Sequence, residues 1–363
     1  MAVDGEHVLR LEPTEDEVVI QVEDLHRLAR RLYGGAGVPE GDAELMADLQ
    51  VETDVRGVHS HGTRALPGYI RRILGGHTNP KPEVRVIKEG PSYAMVDGDG
   101  CMGHLASVRA MQKAIGKANE TGVGIASVIH SRHYGAAACY ATMPLEHGMI
   151  GFAVSSSSKG VAPFGGTERV MGNHGLAHAV PAGEEYPLVL DMASGVSAWG
   201  RVGTMRMYGK KLHMDWVLDE DGNPTDDPHQ AHVLLPAGGS NGPKGSAYNL
   251  LMDVLSGILP MGLATVNRVG EEFAGQQNAS QFFQAIKVDN FIPLEEFTAE
   301  MDRMIQTVRN SRRKDGVDRI YLPGEMEWLK KEAWSKSGIP MHKRHVGSLE
   351  DMADELGVEV PWR

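Results

Sequence analysis

The alternation of apolar and polar positions divides the 363-residue chain into a helical front, a strand-rich middle and a helical end. Helical periodicity starts at Val22, where Leu25, Leu28 and Leu32 share one face, and stops at Gly34-Gly35. Pro39 opens a second helix, with Ala43, Leu45, Met46 and Leu49 apolar. A third holds Leu66, Tyr69, Ile70 and Leu74 before Gly75-Gly76. Short apolar runs predict strands at 84–88 and 93–97. A helix over 104–120 follows, with Leu105, Val108, Met111 and Ile115 on its apolar face. Three further runs, 123–129, 149–154 and 187–190, each end in small polar residues and glycine. Loops of that kind at the ends of a rigid sheet commonly hold ligands. Trp216-Val217-Leu218 ahead of residues 219–224 predicts a hairpin tip. Beyond it the pattern predicts a helix from Ser246 and a strand at 287–291. An amphipathic helix over 293–311 and a strand with a turn over 320–325 complete the middle. The expected division is an N-terminal arm at 1–20, a helical subdomain at 21–80, an α/β core at 81–325 and a peripheral helical tail at 326–363.

Composition narrows the classes of function. Hydrophobic residues make up 41% of the chain, enough for a real core. Acidic residues number 48 against 36 basic ones, a net charge of −12, which speaks against nucleic-acid binding. No apolar run approaches the roughly 18 residues of a membrane span. The stretch before Val18 is polar and acidic, without a signal-peptide core, and Cys101 and Cys139 form no ligand motif. A cytoplasmic protein is the expectation.

Histidine exchanges a proton near neutral pH without large tuning, so the histidines are the first candidates for chemistry. His133 lies in Ser131-Arg132-His133-Tyr134-Gly135, after a strand and before a glycine that lets backbone come close. It is either an acid/base group or a core or capping histidine. His59-Ser60-His61-Gly62 sets two histidines two apart, with no further ligand nearby in sequence, and no metal is expected. His61 is a structural histidine or part of a site. Gly98, Gly100 and Gly103 have the spacing of a dinucleotide fingerprint. Asp97 and Asp99 would repel a pyrophosphate, and the stretch reads as a glycine-rich turn. Lys244 follows a glycine-rich loop and precedes a helix, where free N–H groups and a lysine charge favour an anion. A plain surface lysine is the alternative. A serine nucleophile is the rival chemistry, and no nucleophile elbow is expected in the chain.

Six segments occur together in one order: Ser60-His61-Gly62, Ser131 to Gly135, Pro163-Phe164-Gly165-Gly166, Asp191-Met192-Ala193, Pro243-Lys244-Gly245 and Leu322-Pro323-Gly324-Glu325. In these the chain resembles the malate/L-lactate dehydrogenase type 2 family. That group includes ureidoglycolate, sulfolactate and diketogulonate oxidoreductases and a cyclic-imine reductase. The resemblance implies a non-Rossmann NAD(P)-binding α/β fold with an N-terminal helical subdomain and a mixed sheet core. It implies a homodimer using NAD or NADP to interconvert a small polar 2-hydroxy acid, or related alcohol or amine, and its oxo or imine form. By similarity His133 is the acid/base histidine and His61 the proton donor. Ser60 and Ser157 fall at substrate positions. Asp191, Gly195, Val196, Ser197, Lys244, Gly245, Gly324 and Glu325 fall at cofactor positions. Three departures lie in the same region. The family's usual arginine position is Ala65, with Arg64 one place earlier. Gly-Thr-Asn-Pro is replaced by Gly172-Asn173-His174-Gly175. Asp-Met-Ala-Thr-Ser is replaced by Asp191-Met192-Ala193-Ser194-Gly195. Arg64, Arg132 or Lys159 is then the candidate for a substrate carboxylate. A fold relative with a non-redox lyase or isomerase reaction is the alternative.

Overall fold

A computed structural model describes residues 9–270 and 278–363. The chain opens with β1 (Glu17–Ile20) and the helices α1 (Val22–Gly35), α2 (Glu40–Val55) and α3 (Leu66–Leu74). Strands β2 (Arg85–Glu89) and β3 (Tyr93–Asp97), helix α4 (Gly103–Thr121), strand β4 (Val123–Ser131) and the short α5 (Ala138–Ala141) follow. Next come β5 (Met149–Ser155), β6 (Lys159–Val161), β7 (Met171–Gly172), β8 (Gly175–Val180) and β9 (Leu188–Ala193). They lead into α6 (Trp199–Met207), β10 (Val217–Leu218) and β11 (Val233–Leu234). The remainder holds α7 (Pro243–Asp253), α8 (Leu259–Met261), β12 (Ala279–Lys287), α9 (Leu294–Arg309), α10 (Glu325–Ser337), β13 (Ile339–His342) and α11 (Lys343–Leu356).

Seven strands form the main sheet in the order β2-β3-β4-β12-β5-β8-β9. β3 and β4 run parallel, joined over α4, and the other neighbours are antiparallel. Small residues bring α4 down onto this sheet. Ala106, Ala110, Ala114 and Ala118 recur every fourth position and are all fully buried. They meet Gly124 of β4, where an added Cβ would come within 1.8 Å of the Ala114 carbonyl oxygen. Side chains then alternate between two faces. Ala126, Val128, Met149, Ala153, Phe283 and Ala285 join the helical front in one continuous core. Phe152, Val154, Leu176 and Phe282 point the other way, onto Met252 of α7. A smaller sheet, β10-β11-β6-β7, carries its own core of Val161, Met171, Val202, Val217 and Leu234.

Three expectations are corrected. The strand expected at 287–291 lies earlier, as β12, and residues 288–290 form a 3-10 turn. Residues 320–324 form no strand, and the Pro323 carbonyl accepts a single bond from Val189 N–H at 3.0 Å. Proline has no N–H to continue a ladder. The tail from 326 is not peripheral. Its Trp334, Ile339, Met341, Leu349 and Met352 are buried in the main core, and β13 pairs antiparallel with β1. Residues 1–8 of the expected arm lie outside the described residues. Truncation of the buried Leu349 to alanine is expected to cost about 2–5 kcal/mol, the range for a core leucine. Urea unfolding measures this, and an unmoved midpoint would return the tail to the periphery.

Candidate active site

The candidate site starts where β4 ends. Gly103, the first residue of α4, donates its N–H to the His133 carbonyl at 3.0 Å, and an added Cβ there would lie 2.3 Å from the Arg132 carbonyl oxygen. The triplet Gly98-Gly100-Gly103 is thus pressed against the His133 loop, and its third glycine is needed for that contact. Nδ1 of His133 meets the Tyr69 hydroxyl at 2.6 Å and the Gly135 N–H at 3.3 Å. A hydroxyl can donate to a bare ring nitrogen or accept from an N–H, so Tyr69 holds the ring in either protonation state. Among the described residues Nε2 of His133 takes no hydrogen bond.

His61 stacks on His133 with ring centroids 5.7 Å apart and planes 27° apart. Ser60 Oγ lies 2.9 Å from His61 Nδ1. His104, buried at the start of α4, packs edge-on against Tyr69 at 5.6 Å. His61 and His133 are half-buried. Burial first, and the neighbouring His61, His104 and Arg72 after it, push the His133 pKa well below the usual 6.5. Burial, then Arg64, lowers His61 to about 4. Both imidazoles are neutral at pH 7.

From His61 the wall continues through Arg64. Its guanidinium donates to the Gly200 carbonyl at 2.9 Å and to Thr204 Oγ1 at 2.8 Å, both on α6. The segment before α6 is tied to the next turn, since Asn173 Oδ1 accepts Gly195 N–H at 2.8 Å and Asn173 Nδ2 donates to the Ser197 carbonyl at 3.0 Å. Asn173 N–H in turn donates to Ser157 Oγ at 2.6 Å. The Val196 N–H bonds to Leu235 and the Ala237 N–H to Ser194, so the glycine-rich loop ahead of α7 lies against the same segment. Gly238 and Gly239 have positive φ, and an added Cβ at Gly245 would lie 1.9 Å from the Ala237 carbonyl oxygen. Lys244 is exposed in the first turn of α7. Contacts thus link His133 to His61 and Ser60, Arg64 to α6, and Asn173 to Ser157 and Ser197, with the Lys244 loop bonded to the segment that holds Ser197.

The remaining candidates make contacts of their own. Asp191 Oδ2 accepts the Ala138 N–H at 3.0 Å, tying β9 to the segment after His133. Arg132 donates to the His77 carbonyl at 2.8 Å and the Ser131 carbonyl at 3.3 Å. Gly324, at φ +85°, packs on Val189, and the Glu325 carboxylate turns inward to Leu322 N–H, Arg309 and Arg319. His174 is fully buried, with Asp253 Oδ1 3.7 Å from its Nε2.

Sequence reasoning missed Tyr69 and His104. Tyr69 falls on an apolar helical stripe and His104 at a helix start, and neither has a local signal beyond its residue type. The serine reading also needs correction. Gly238-Gly239-Ser240-Asn241-Gly242 does have the spacing of a nucleophile elbow. Ser240, exposed in a 3-10 turn, donates its hydroxyl to Asp215 Oδ1 at 2.9 Å, a carboxylate and not an imidazole.

Similarity to known proteins makes this chain a dehydrogenase acting on CH–OH groups, and its relatives imply a nicotinamide cofactor. The chain belongs to the malate/L-lactate dehydrogenase family, whose model matches residues 20–350. It is 38% identical over 354 residues to a malate dehydrogenase of Pyrococcus horikoshii, covering 95% of this chain and 97% of that one. The solved structure of malate dehydrogenase from that organism superposes with a TM-score of 0.87 at 37% identity, covering 96% of this chain and 99% of the other. An L-sulfolactate dehydrogenase of Methanocaldococcus jannaschii is 33% identical, covering 94% and 98%.

The neutral imidazoles make stability depend on pH. His104 and His345 are lowered to about 3 and His61 and His174 to about 4, in each case chiefly by burial. The unfolded chain takes up these protons from the ordinary histidine value of 6.5 downwards, and the folded chain refuses them until about 4 or below. Their contribution is whole above 6.5 and falls as pH drops through that window. Asp191, raised to about 6 by burial, runs the other way and offsets one of the four. The unfolding free energy from urea titration is expected to fall between pH 6.5 and 4, by about 1.4 kcal/mol per pH unit for each net proton, and the midpoint with it. A flat midpoint would contradict neutral buried histidines.

Proposed function

We propose that this chain interconverts a small polar 2-hydroxy acid and its 2-oxo acid, or a related imine and amine, at Nε2 of His133, using NAD or NADP. The observation that carries the reading is the His133 ring itself. Nδ1 is held by Tyr69, one face is covered by His61, and Nε2 is left for a substrate oxygen or nitrogen. In the tautomer whose Nδ1–H donates to the Tyr69 oxygen, Nε2 is bare: oxidation gives it a hydroxyl proton, and reduction takes that proton back. When bound, the nicotinamide accepts or supplies the hydride.

The residues present fit such a cofactor. First-turn N–H groups of α7 have no partner inside the helix, and Lys244 adds a charge there. The closeness at Gly245 means that no side chain fills the loop. Gly195, Val196 and Ser197 border it, with Asp191 at the base of that segment. At Gly324 and Glu325 contact falls to the backbone, because the carboxylate is turned inward. Ser60 and Ser157 offer hydroxyls to the substrate. With the Arg64 fork on α6, the carboxylate falls to Arg132 or Lys159, and the family's clamp at Ala65 is gone. A cytoplasmic location belongs to the same reading, supported by two unpaired cysteines. The non-redox alternative has no support among the relatives named above.

His133→Ala is expected to lower turnover by about 10²- to 10⁴-fold, the usual worth of a positioned acid/base. NADH or NADPH titrated against the variant by fluorescence should still bind. Full activity in the variant would remove the mechanism.

The homodimer belongs to the same proposal. Leu250, Leu251, Val254, Ile258 and Leu259 form an exposed apolar stripe along α7 and α8, starting six residues beyond Lys244. A continuous stripe of this kind suits a protein partner, and a second copy is the occupant that the family resemblance implies. Light scattering on the eluting protein should give twice the 39.4 kDa chain mass. Leu251→Asp with Leu259→Asp should shift it to one chain. A wild-type monomer would end this part of the reading.

A further inference from the structure

The loop that presents His61 is fastened from below by a carboxylate that solvent does not reach. Asp54, near the end of α2, is fully buried. Its Oδ2 accepts the Thr63 N–H at 2.7 Å and the Thr63 hydroxyl at 2.6 Å. Its Oδ1 accepts Nδ1–H of His59 at 2.8 Å. Burial alone would raise the Asp54 pKa, but the hydrogen bond and charge of His59, with His345 and Thr63, hold it below the usual value. An ionised carboxylate can only accept. The Thr63 hydroxyl has one proton, and it points at Asp54. Its oxygen therefore receives Nε2–H of His345, 3.1 Å away on α11.

The rest of the loop is held by the same surroundings. The Gly62 carbonyl accepts Gln50 Nε2 at 3.0 Å, and an added Cβ at Gly62 would lie 2.4 Å from Asp54 Oδ1. His59 stacks on Trp334 of α10, with centroids 6.0 Å and planes 14° apart. His61 thus sits between fixed neighbours on both sides. Asp54, His59 and His345 are also near enough together to suggest a cation. The donors already on the carboxylate account for its contacts.

We infer that Asp54, Thr63 and His345 are positioning residues, a directed run of hydrogen bonds through which the C-terminal segment sets His61 against His133. This rests on the reading of His61 and His133 as the proton-transfer pair. None of the three touches substrate. Their effect is on the geometry of the pair, so it falls on turnover and not on nucleotide affinity.

The test compares side chains that differ only in reach. His345→Gln can place an amide N–H near the position of Nε2, whereas His345→Asn is too short to reach Thr63. Thr63→Ser keeps the hydroxyl, and Thr63→Val removes it at equal size. Asn at 345 and Val at 63 are each expected to lower kcat at least tenfold, with KM for the nucleotide within twofold. Gln and Ser should stay within threefold of the unaltered protein. The Thr63→Val and His345→Asn double variant should be no worse than its poorer single, as for groups acting in one network. Folded Asn and Val variants with kcat within twofold would overturn the inference, and so would equal losses in all four. Histidine NMR separates this from failure of the functional reading. If the unaltered protein shows no turnover with either nucleotide, the dehydrogenase reading fails. The positioning claim then stands or falls on whether the ring signals of His61 move in Thr63→Val and return in Thr63→Ser.

Discussion

The structure depends on one close approach, that of α4 to the sheet it crosses. An alanine every fourth residue and a glycine opposite let the helix backbone come to the strand with no side chain between. The same helix begins at Gly103, whose N–H fastens the His133 carbonyl. The distance that sets the core packing therefore also sets the height of the imidazole above the end of β4. A side chain at Gly103 would meet the backbone on either side of Arg132 and His133, and the ring could not keep its place over Tyr69.

The segments beside it are then held by side chains with more than one hydrogen bond each. Asn173 holds the 195–197 segment with both ends of its amide, and Arg64 grips α6 with two nitrogens of its fork. Such parts lose little freedom when a ligand arrives, since their rotamers are already fixed. The fixing has a chemical consequence at Arg64. A guanidinium engaged with α6 has part of its donor set committed to the protein, so in the proposed site the change from the family position to Ala65 would alter the charge offered to a substrate.

Much of this was legible in the sequence where the signal is local. The strand at 93–97, the helix after it and the run at 123–129 were placed within two residues because periodicity and glycine stops coincide there. β12 was misplaced for a physical reason. It is the middle strand, covered on both faces, and it buries Ser280 and Gln281 alongside Phe282 and Phe283. No alternation survives in such a strand. The tail was misread because its charges hide a buried stripe of Val346, Leu349 and Met352. At the candidate site the histidines next to glycine stood out. Asp54, Thr63 and His345 did not, since 282 residues separate two of them and only folding brings them within 3.1 Å.

The proposed proton-transfer pair also sets a limit on its own charge. His61, His104 and His133 crowd one small volume, and each makes a second proton there harder to hold. At neutral pH the cluster rests without charge, ready to accept a proton from a hydroxyl. Running in reverse it must first gain one. A substrate carboxylate brought alongside would favour that gain, because an opposite charge within a few ångströms raises an imidazole pKa. An acid substrate thus promotes the protonation that its own reduction needs, whereas a neutral carbonyl compound would meet a cluster with no proton to give. In the proposed mechanism a preference for an anionic substrate would follow from the crowding of imidazoles as much as from an arginine that binds it.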